Sequence, residues 1–129
     1  MSINCGGPSM GGKTVLIVDD SEFIRDLLHQ FLERCGCNVC GFAKSGREGV
    51  EMYKFLNPDV VFMDINMPVM NGLDAIKTIK QEYPNAKVVI MSSVGDNDIV
   101  EQVKEIGGAA FIKKPVSIHK IITALSLIG

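Results

Sequence analysis

The sequence predicts an α/β protein in which a parallel sheet is covered by helices on both faces. Short apolar runs rich in β-branched residues alternate with segments of helical periodicity, and this alternation occurs five times. The apolar runs are continuous, which is typical of strands that are buried on both sides. We therefore expect five strands and five helices in a single domain of 129 residues.

The first two β-α units contain one buried strand and one edge strand. Thr14–Val18 is a β-branched run, and the apolar residues that follow it at helical spacing stop at Gly36. Asn38–Ala43 is less apolar, so we place this second strand at a sheet edge. Ser45 opens an S-x-x-E capping box, which predicts a second helix that ends near Phe55.

The remaining three units are separated by glycine, proline and asparagine. We expect Gly72 to let the chain turn into its helix, with Asn71 in the left-handed region, and Gly107 to close the fourth helix. Ser117 is the predicted cap of the last helix. The predicted strands are Val60–Asp64, 87–93 and 110–112, and the predicted helices are Gly72–Glu82, 96–106 and 118–127.

Composition and charge exclude several classes of function. Hydrophobic residues make up 47% of the chain and charged residues 22%, as in globular proteins. The net charge of −2 gives no electrostatic reason to bind nucleic acid or a membrane surface. No apolar run approaches the roughly 20 residues of a membrane span, and no signal-peptide pattern is present. We expect a cytoplasmic monomer.

The cysteines and the N-terminal segment are not assigned to a functional site. Cys35, Cys37 and Cys40 do not have the spacing of metal ligands, so we expect reduced structural thiols. Residues 1–12 are rich in glycine and serine and lack periodicity. We expect them to be a flexible leader or a cloning remnant before a native start at Met10, and residues 13–129 to be the folded domain.

Polar side chains stand where the predicted strands end. The first strand is followed by Asp19 and Asp20, the third ends in Asp64, the fourth reaches Ser92, and the fifth is followed by Lys114. In the strand order 2-1-3-4-5 of flavodoxin-like sheets, the first and third strands are neighbours, and ligands bind beyond the carboxyl ends. Three carboxylates in one cleft repel each other and require a cation, for which Mg²⁺ is suited.

These groups suit phosphoryl transfer. A divalent ion, the amine of Lys114 and the hydroxyl of Ser92 would surround a group that carries several negative oxygens. A carboxylate can itself be the nucleophile and form an acyl phosphate, so we predict that Asp64 accepts a phosphoryl group. Taken alone, Asp64 would be read as an ordinary strand-ending carboxylate, and only its combination with the other groups favours the functional interpretation.

Four separated motifs resemble the receiver domain of response regulators: LIVDDS, PDVVFMDINMPVMNG, the serine that follows VVIM, and FIKKP. The resemblance extends from Lys13 to the C-terminus, and the single-domain chemotaxis receivers of CheY type match best in size. It implies a two-component signalling switch that a histidine kinase phosphorylates with Mg²⁺, or Mn²⁺ in its place. It also implies a phosphorylation-dependent output protein, such as the flagellar switch, that contacts the fourth helix, fifth strand and last helix.

The resemblance further implies a role for individual residues. Some would hold the metal ion and others the phosphoryl group, and an aromatic would change rotamer. The implied phosphoacceptor is Asp64, the metal ligands are Asp20, Asp19 partly through water, Asp64 and the Asn66 backbone carbonyl, the switch hydroxyl is Ser92, the phosphoryl-pairing amine is Lys114, and the switch aromatic is Phe111. The Lys114-Pro115 bond is expected to be cis.

Three departures from the receiver pattern have expected consequences. The switch aromatic is Phe111 where a tyrosine is usual, so it cannot form a phenolic hydrogen bond. Ser93 stands where a smaller residue is common and would narrow access to the acyl phosphate. Val94 offers no polar side chain to orient an attacking water, so we expect slow dephosphorylation.

Several alternatives remain at this stage. The same chemistry would serve a phosphorelay intermediate or a receiver taken from a longer regulator. An aspartyl-phosphate phosphohydrolase usually needs a second acid two residues after the nucleophile, where this chain has Asn66. A flavin-binding module needs a loop that cradles phosphate after the first strand, where Asp19 and Asp20 would repel it. We expect a signalling domain that catalyses only its own phosphorylation and dephosphorylation.

Overall fold

A computed structural model describes residues 12–67, 71–95 and 97–128 of the chain. Strands and helices alternate strictly within these residues. The strands are β1 Thr14–Val18, β2 Asn38–Ala43, β3 Val60–Asp64, β4 Val88–Ser92 and β5 Ala110–Lys113, and the helices are α1 Glu22–Arg34, α2 Gly46–Leu56, α3 Gly72–Glu82, α4 Asn97–Glu105 and α5 Ile118–Ile128. Apart from Gly12, the predicted leader lies outside the described residues.

The five strands form one parallel sheet in the order β2-β1-β3-β4-β5. The predicted fold class, the strand order and the edge position of β2 are therefore confirmed. Every residue of β3 and β4 is buried, which accounts for the continuous apolar runs in the sequence. The order places β1 beside β3, so the loops that follow these two strands are neighbours.

The core has two parts, one on each face of the sheet. In β1, Val15 and Ile17 pack towards α1 and α5, whereas Leu16 and Val18 pack towards α2, α3 and α4. This division follows from the two-residue period of a strand, which sends successive side chains to opposite faces. Both faces are closed by apolar helix surfaces, so the remaining access to the sheet is at its ends.

The helix caps agree with the sequence patterns in most places. The Ser45 hydroxyl accepts a hydrogen bond from the Glu48 N–H at 3.2 Å, and the Glu48 carboxylate accepts one from the Lys44 N–H at 3.2 Å. The predicted capping box is thus present, although its carboxylate reaches the N–H that precedes the cap. The Ser117 hydroxyl likewise accepts from the Lys120 N–H at 3.2 Å and caps α5.

The start of α3 differs from the prediction. Asn71 has φ −71° and ψ 163°, so it is extended and not left-handed, and its side chain caps α3 by accepting from the Asp74 N–H at 2.9 Å. A Cβ at position 72 would clash with the backbone carbonyl of Asp64. Gly72 is therefore required for the close approach of α3 to the end of β3, and not for a left-handed turn.

The ends of several predicted elements differ from the structure by one residue. Strand β4 is one residue shorter at each end than predicted, because Lys87 and Ser93 are already exposed outside the sheet. Strand β5 continues to Lys113, which pairs with Ser92 of β4. Helix α4 is described from Asn97 to Glu105, and Asp96 lies outside the described residues. The longer β5 matters because it brings the next residue, Lys114, beside the end of β4.

Neither the described cysteines nor the described helices suggest another type of site. Cys35 and Cys37 are buried as thiols beside α1 and α5, and Cys40 is an exposed thiol on β2. Although the residue is exposed, partial desolvation of its thiol raises the pKa of Cys40, so this thiol is less ionised than usual. Within residues 12–67, 71–95 and 97–128, no helix is both long and apolar enough to cross a membrane.

Candidate functional site

The carboxyl ends of β1 and β3 bring three aspartates together. Val18 pairs with Met63 in the sheet, so Asp19 and Asp64 are the next residues of two adjacent strands. One carboxylate oxygen from each of Asp19, Asp20 and Asp64 lies within 4.8 Å of the other two. Asp19 and Asp64 are buried, and Asp20 is exposed. Among the three carboxylates, the cluster is thus open to solvent at Asp20.

Lys114 follows the edge strand β5, and its side chain reaches this cluster past the end of β4. Its Nζ lies 2.9 Å from Asp19 Oδ2 and 3.4 Å from Asp64 Oδ2. Its backbone N–H donates to the Ser92 carbonyl at 2.8 Å, which fixes the residue beside the end of β4. The Lys114-Pro115 peptide bond is cis, as the sequence comparison with receivers implied. The amine therefore bridges the two buried carboxylates.

The pKa values of Asp64 and Lys114 both differ from those of free side chains. Burial raises the pKa of Asp64, and the charge of Asp19 adds to this effect, while the Asn66 N–H and Lys114 oppose it. Burial alone would lower the pKa of Lys114, but its hydrogen bond to Asp19 and the charges of Asp19 and Asp64 outweigh burial and raise it. Lys114 is therefore charged at neutral pH, and the Asp64 carboxylate is held in an unfavourable environment.

The donor set of the cluster fits a hard divalent cation. The three aspartates, when ionised, and the one lysine ammonium leave two negative charges. The candidate ligands in the cluster are carboxylate oxygens, the donors that Mg²⁺ and Mn²⁺ prefer, and among the residues that the structure describes no cysteine or histidine joins them. Asp20 is the exposed member of the cluster, and Lys114 pairs with Asp19 and Asp64, so an ion could reach Asp20 without displacing Lys114.

The loop that carries Asp19 and Asp20 is tied to the start of α1. Asp19 Oδ1 accepts a hydrogen bond from the Ser21 N–H at 2.9 Å. The Arg25 guanidinium, one turn into α1, donates to the backbone carbonyl of Asp19 at 2.8 Å. Ser21 is also the N-cap of α1. Arg25 was not predicted from the sequence, since one arginine on a helix carries no signal of such a contact.

Ser92 and Asn66 meet on the side of the cluster that faces β4. Ser92 is fully buried, and its Oγ accepts hydrogen bonds from the Val94 N–H at 3.0 Å and from Asn66 Nδ2 at 3.1 Å. The backbone N–H of Asn66 donates to Asp64 Oδ1 at 3.0 Å. From the sequence, only the backbone carbonyl of Asn66 was predicted to have a role, so the contact made by its side chain was missed.

Phe111 lies on β5, away from the acidic cluster. It is half-buried and packs against the core under α2, α3 and α4. With Val100, His119 and Leu127 it lines an open groove between α4, β5 and α5. The structure thus brings six predicted site residues to one end of the sheet and places the seventh in a neighbouring groove. The first six are Asp19, Asp20, Asp64, Asn66, Ser92 and Lys114.

Comparison with known proteins identifies the class to which this fold and site belong. The family model of the response regulator receiver domain matches residues 15–126. The chemotaxis protein CheY of Thermotoga maritima is 45% identical over 118 residues, which cover 92% of this chain and 98% of that protein. The chemotaxis protein CheY of Halobacterium salinarum is 38% identical over 114 residues, covering 88% and 94%.

Solved structures give the same result. A CheX–CheY–BeF₃–Mg²⁺ complex from Borrelia burgdorferi matches with a TM-score of 0.85 and 33% identity, covering 96% of this chain and 92% of that one. Vibrio cholerae CheY4 matches with a TM-score of 0.85 and 26% identity, covering 92% and 100%. The chain belongs to the response regulator receiver domain family. It is a two-component signalling domain of the phosphorylation-activated type, with CheY chemotaxis proteins among its relatives.

Proposed function

We propose that Asp64 accepts a phosphoryl group from a histidine kinase in a Mg²⁺-dependent reaction, and that this modification changes a partner-binding surface. The observation that carries the proposal is the position of Lys114 Nζ, 2.9 Å from Asp19 and 3.4 Å from Asp64, in a cluster whose third carboxylate, Asp20, is exposed. A phosphoryl group on Asp64 would meet a fixed cation on one side and metal ligands on the other. Such an arrangement stabilises charge on transferring oxygens.

The residues around Asp64 have distinct parts in this reaction. The Asn66 N–H holds Oδ1 of Asp64, which orients the carboxylate for attack on phosphorus. The kinase histidine leaves as its bond to phosphorus breaks, and an acyl phosphate forms on Asp64. A bound Mg²⁺, or Mn²⁺, held by Asp19, Asp20, Asp64 and the Asn66 carbonyl would neutralise charge on the phosphoryl oxygens. Lys114 would then pair with those oxygens.

The acyl phosphate would pull two groups towards it. Lys114 would exchange part of its contact with Asp19 for the new oxygens, and Ser92 would turn its hydroxyl towards them. The space that Ser92 vacates lets Phe111 follow from its half-buried position on β5. Dephosphorylation would be slow, because Val94 carries no polar side chain to orient water.

The backbone next to Lys114 offers a route from the site to the output surface. Lys120 on α5 donates from its Nζ to the carbonyl of Lys113 at 2.8 Å and to that of Pro115 at 2.9 Å. These two carbonyls flank Lys114, so a shift of this residue would be felt at α5. We propose that the groove of Phe111, α4 and α5 receives the output protein, for which a flagellar switch component is the first candidate.

The biological setting follows from the relatives. Several of the matched proteins are named chemotaxis protein CheY, and the match spans nearly all of the Thermotoga protein. We therefore propose a cytoplasmic, monomeric chemotaxis receiver that catalyses only its own phosphorylation and dephosphorylation. A phosphorelay intermediate or a receiver of a longer regulator is the second choice. The phosphohydrolase alternative is not favoured, because Asn66 offers an amide where that chemistry needs an acid.

Labelling with a small phosphodonor tests the proposal. The wild-type protein is incubated with acetyl phosphate and Mg²⁺, and its intact mass is measured. We expect one phosphoryl group on the wild type and none on Asp64→Asn. Asp59→Asn is the matched control, because Asp59 lies at the other end of β3, and it should be labelled like the wild type. Equal labelling of Asp64→Asn and the wild type would refute the assignment.

A further inference from the structure

The Ser92 hydroxyl has a fixed set of hydrogen bonds before any phosphorylation. A serine oxygen has two acceptor positions and one hydrogen to donate. Both acceptor positions of Ser92 are filled, by the Val94 N–H at 3.0 Å and by Asn66 Nδ2 at 3.1 Å. The side chain is fully buried. Ser92 therefore cannot move towards Asp64 without giving up at least one of these two donors.

The Val94 N–H and the Asn66 amide differ in how easily each can lose its hydrogen bond to Ser92. The Val94 N–H belongs to the backbone that follows β4. The Asn66 amide belongs to an exposed side chain in the loop after β3, so water can replace its contact when Ser92 leaves. Asn66 is also tied to Asp64, through its N–H at 3.0 Å. One residue thus contacts both the proposed phosphoacceptor and the proposed switch hydroxyl.

We propose that the side-chain amide of Asn66 is a positioning group that holds Ser92 in the resting conformation and sets how readily the switch moves without phosphorylation. The inference rests on the proposed function and adds a residue that regulates it. Asn66 does so through its Nδ2, separately from the backbone carbonyl suggested as a metal ligand. Removing this one donor should favour the moved state of Ser92 about threefold to tenfold, the effect of one net hydrogen bond.

Two substitutions of Asn66 separate the effect of its hydrogen bond to Ser92 from the effect of its side-chain shape. Asn66→Leu keeps a similar shape and removes the donor, whereas Asn66→Gln keeps the donor on a longer arm. Each is made with Ser92 present and in a Ser92→Ala background, which forms a double-mutant cycle. Asn66 is exposed and Ser92→Ala removes only one buried hydroxyl, so all variants should fold, and thermal unfolding checks this directly.

Amide signals in solution report the resting state in the absence of any phosphodonor. In Asn66→Leu, hydrogen exchange at the Val94 amide should accelerate about threefold to tenfold, because its acceptor leaves more often. The Phe111 amide signal should move part of the way towards its position in beryllofluoride-saturated wild type. Asn66→Gln should recover most of the wild-type behaviour. In the Ser92→Ala background, Asn66→Leu should add no further change.

The same measurements can overturn the proposal. Unchanged Val94 exchange in Asn66→Leu, or an equal change in the Ser92→Ala background, would show that Asn66 does not act through Ser92. A wild-type spectrum that does not respond to beryllofluoride would remove the switch that Asn66 is said to restrain. The proposed function fails separately, when the wild type is not labelled at Asp64 by acetyl phosphate.

Discussion

Two aspartates at opposite ends of β3 are surrounded in very different ways. Asp59 precedes the strand, and its Oδ2 accepts from the N–H of Thr14 at 2.9 Å and from the Thr14 hydroxyl at 3.2 Å. The Thr14 hydroxyl in turn accepts from the Asp59 N–H at 3.0 Å. Two neutral donors of Thr14 thus satisfy the exposed Asp59 carboxylate, and the contacts between these two residues join the starts of β1 and β3.

Asp64 ends the strand in a less favourable environment. It is buried, has two other carboxylates within 4.8 Å and shares a single ammonium with Asp19. Burial raises its pKa, whereas Asp59 remains exposed. A carboxylate at a strand end is therefore no sign of function by itself. The sign is a buried carboxylate whose neighbours leave negative charge in excess. A divalent cation can neutralise this charge, and a phosphoryl group can then bind beside the cation.

Among the predicted effects at Asp64, removal of the metal ion should have the largest, and it should act on the phosphorylation of this residue. Chelation with EDTA should reduce labelling of the wild type by acetyl phosphate to background. Asp20→Asn removes the exposed carboxylate on the open side and should weaken Mg²⁺ binding by tenfold or more, as seen in the Mg²⁺ concentration needed for half-maximal labelling. Asp26→Asn, an exposed acid on α1, is the control. Full labelling in EDTA would contradict a metal site at Asp64.

Loss of Lys114 should separate phosphorylation from its consequence. Lys114→Ala should still be labelled at Asp64, because the carboxylate and the metal ligands remain. The shift of the Phe111 amide signal on beryllofluoride binding should fall to a small fraction of the wild-type shift. Lys113→Ala is the control, since Lys113 is exposed and points away from the cluster towards Gly95. A full Phe111 shift in Lys114→Ala would refute the coupling.

The same substitution should have opposite effects on stability at the two ends of β3. Asp59→Asn should lower the free energy of unfolding by about 1 kcal/mol, because hydrogen bonds to a charged acceptor become bonds to a neutral one. Asp64→Asn should raise the free energy of unfolding at neutral pH, because it removes a buried charge next to Asp19. Urea unfolding without metal measures both. A loss of stability in Asp64→Asn would contradict the described electrostatics.

The smallest predicted effect is the pH dependence of the free energy of unfolding. Its sign tests whether the pKa of Asp64 is raised. Because the pKa of Asp64 in the folded protein lies above its ordinary value of 3.8, the folded state binds more protons than the unfolded state just above pH 3.8. Asp64 therefore lowers stability as the pH rises through this window. The stability difference between Asp64→Asn and the wild type should grow from pH 3.8 upward and then level off. A difference that shrinks with pH would contradict the raised pKa.

Fold and site were not equally predictable from the sequence. The strand order and the convergence of Asp19, Asp64 and Lys114 follow from topology, because the carboxyl ends of parallel strands meet at one edge. The two errors both concern residues in loops: the conformation of Asn71 was predicted wrongly, and the contact of the Asn66 amide was missed. The partner of the Asn66 amide is Ser92, far away along the chain, and no local spacing encodes that contact. Asn71 instead caps an N–H only three residues away, a local contact that an N-cap pattern could have indicated.

A crystal structure with Mg²⁺ and beryllofluoride would test the central claim most directly. The account predicts a fluoroberyllate group on a carboxylate oxygen of Asp64, with Lys114 Nζ within hydrogen-bond distance of a fluorine. It also predicts Mg²⁺ at about 2.1 Å from oxygens of Asp20 and Asp64. A metal ion bound elsewhere, with the Asp64 carboxylate unmodified and still paired with Lys114, would contradict it.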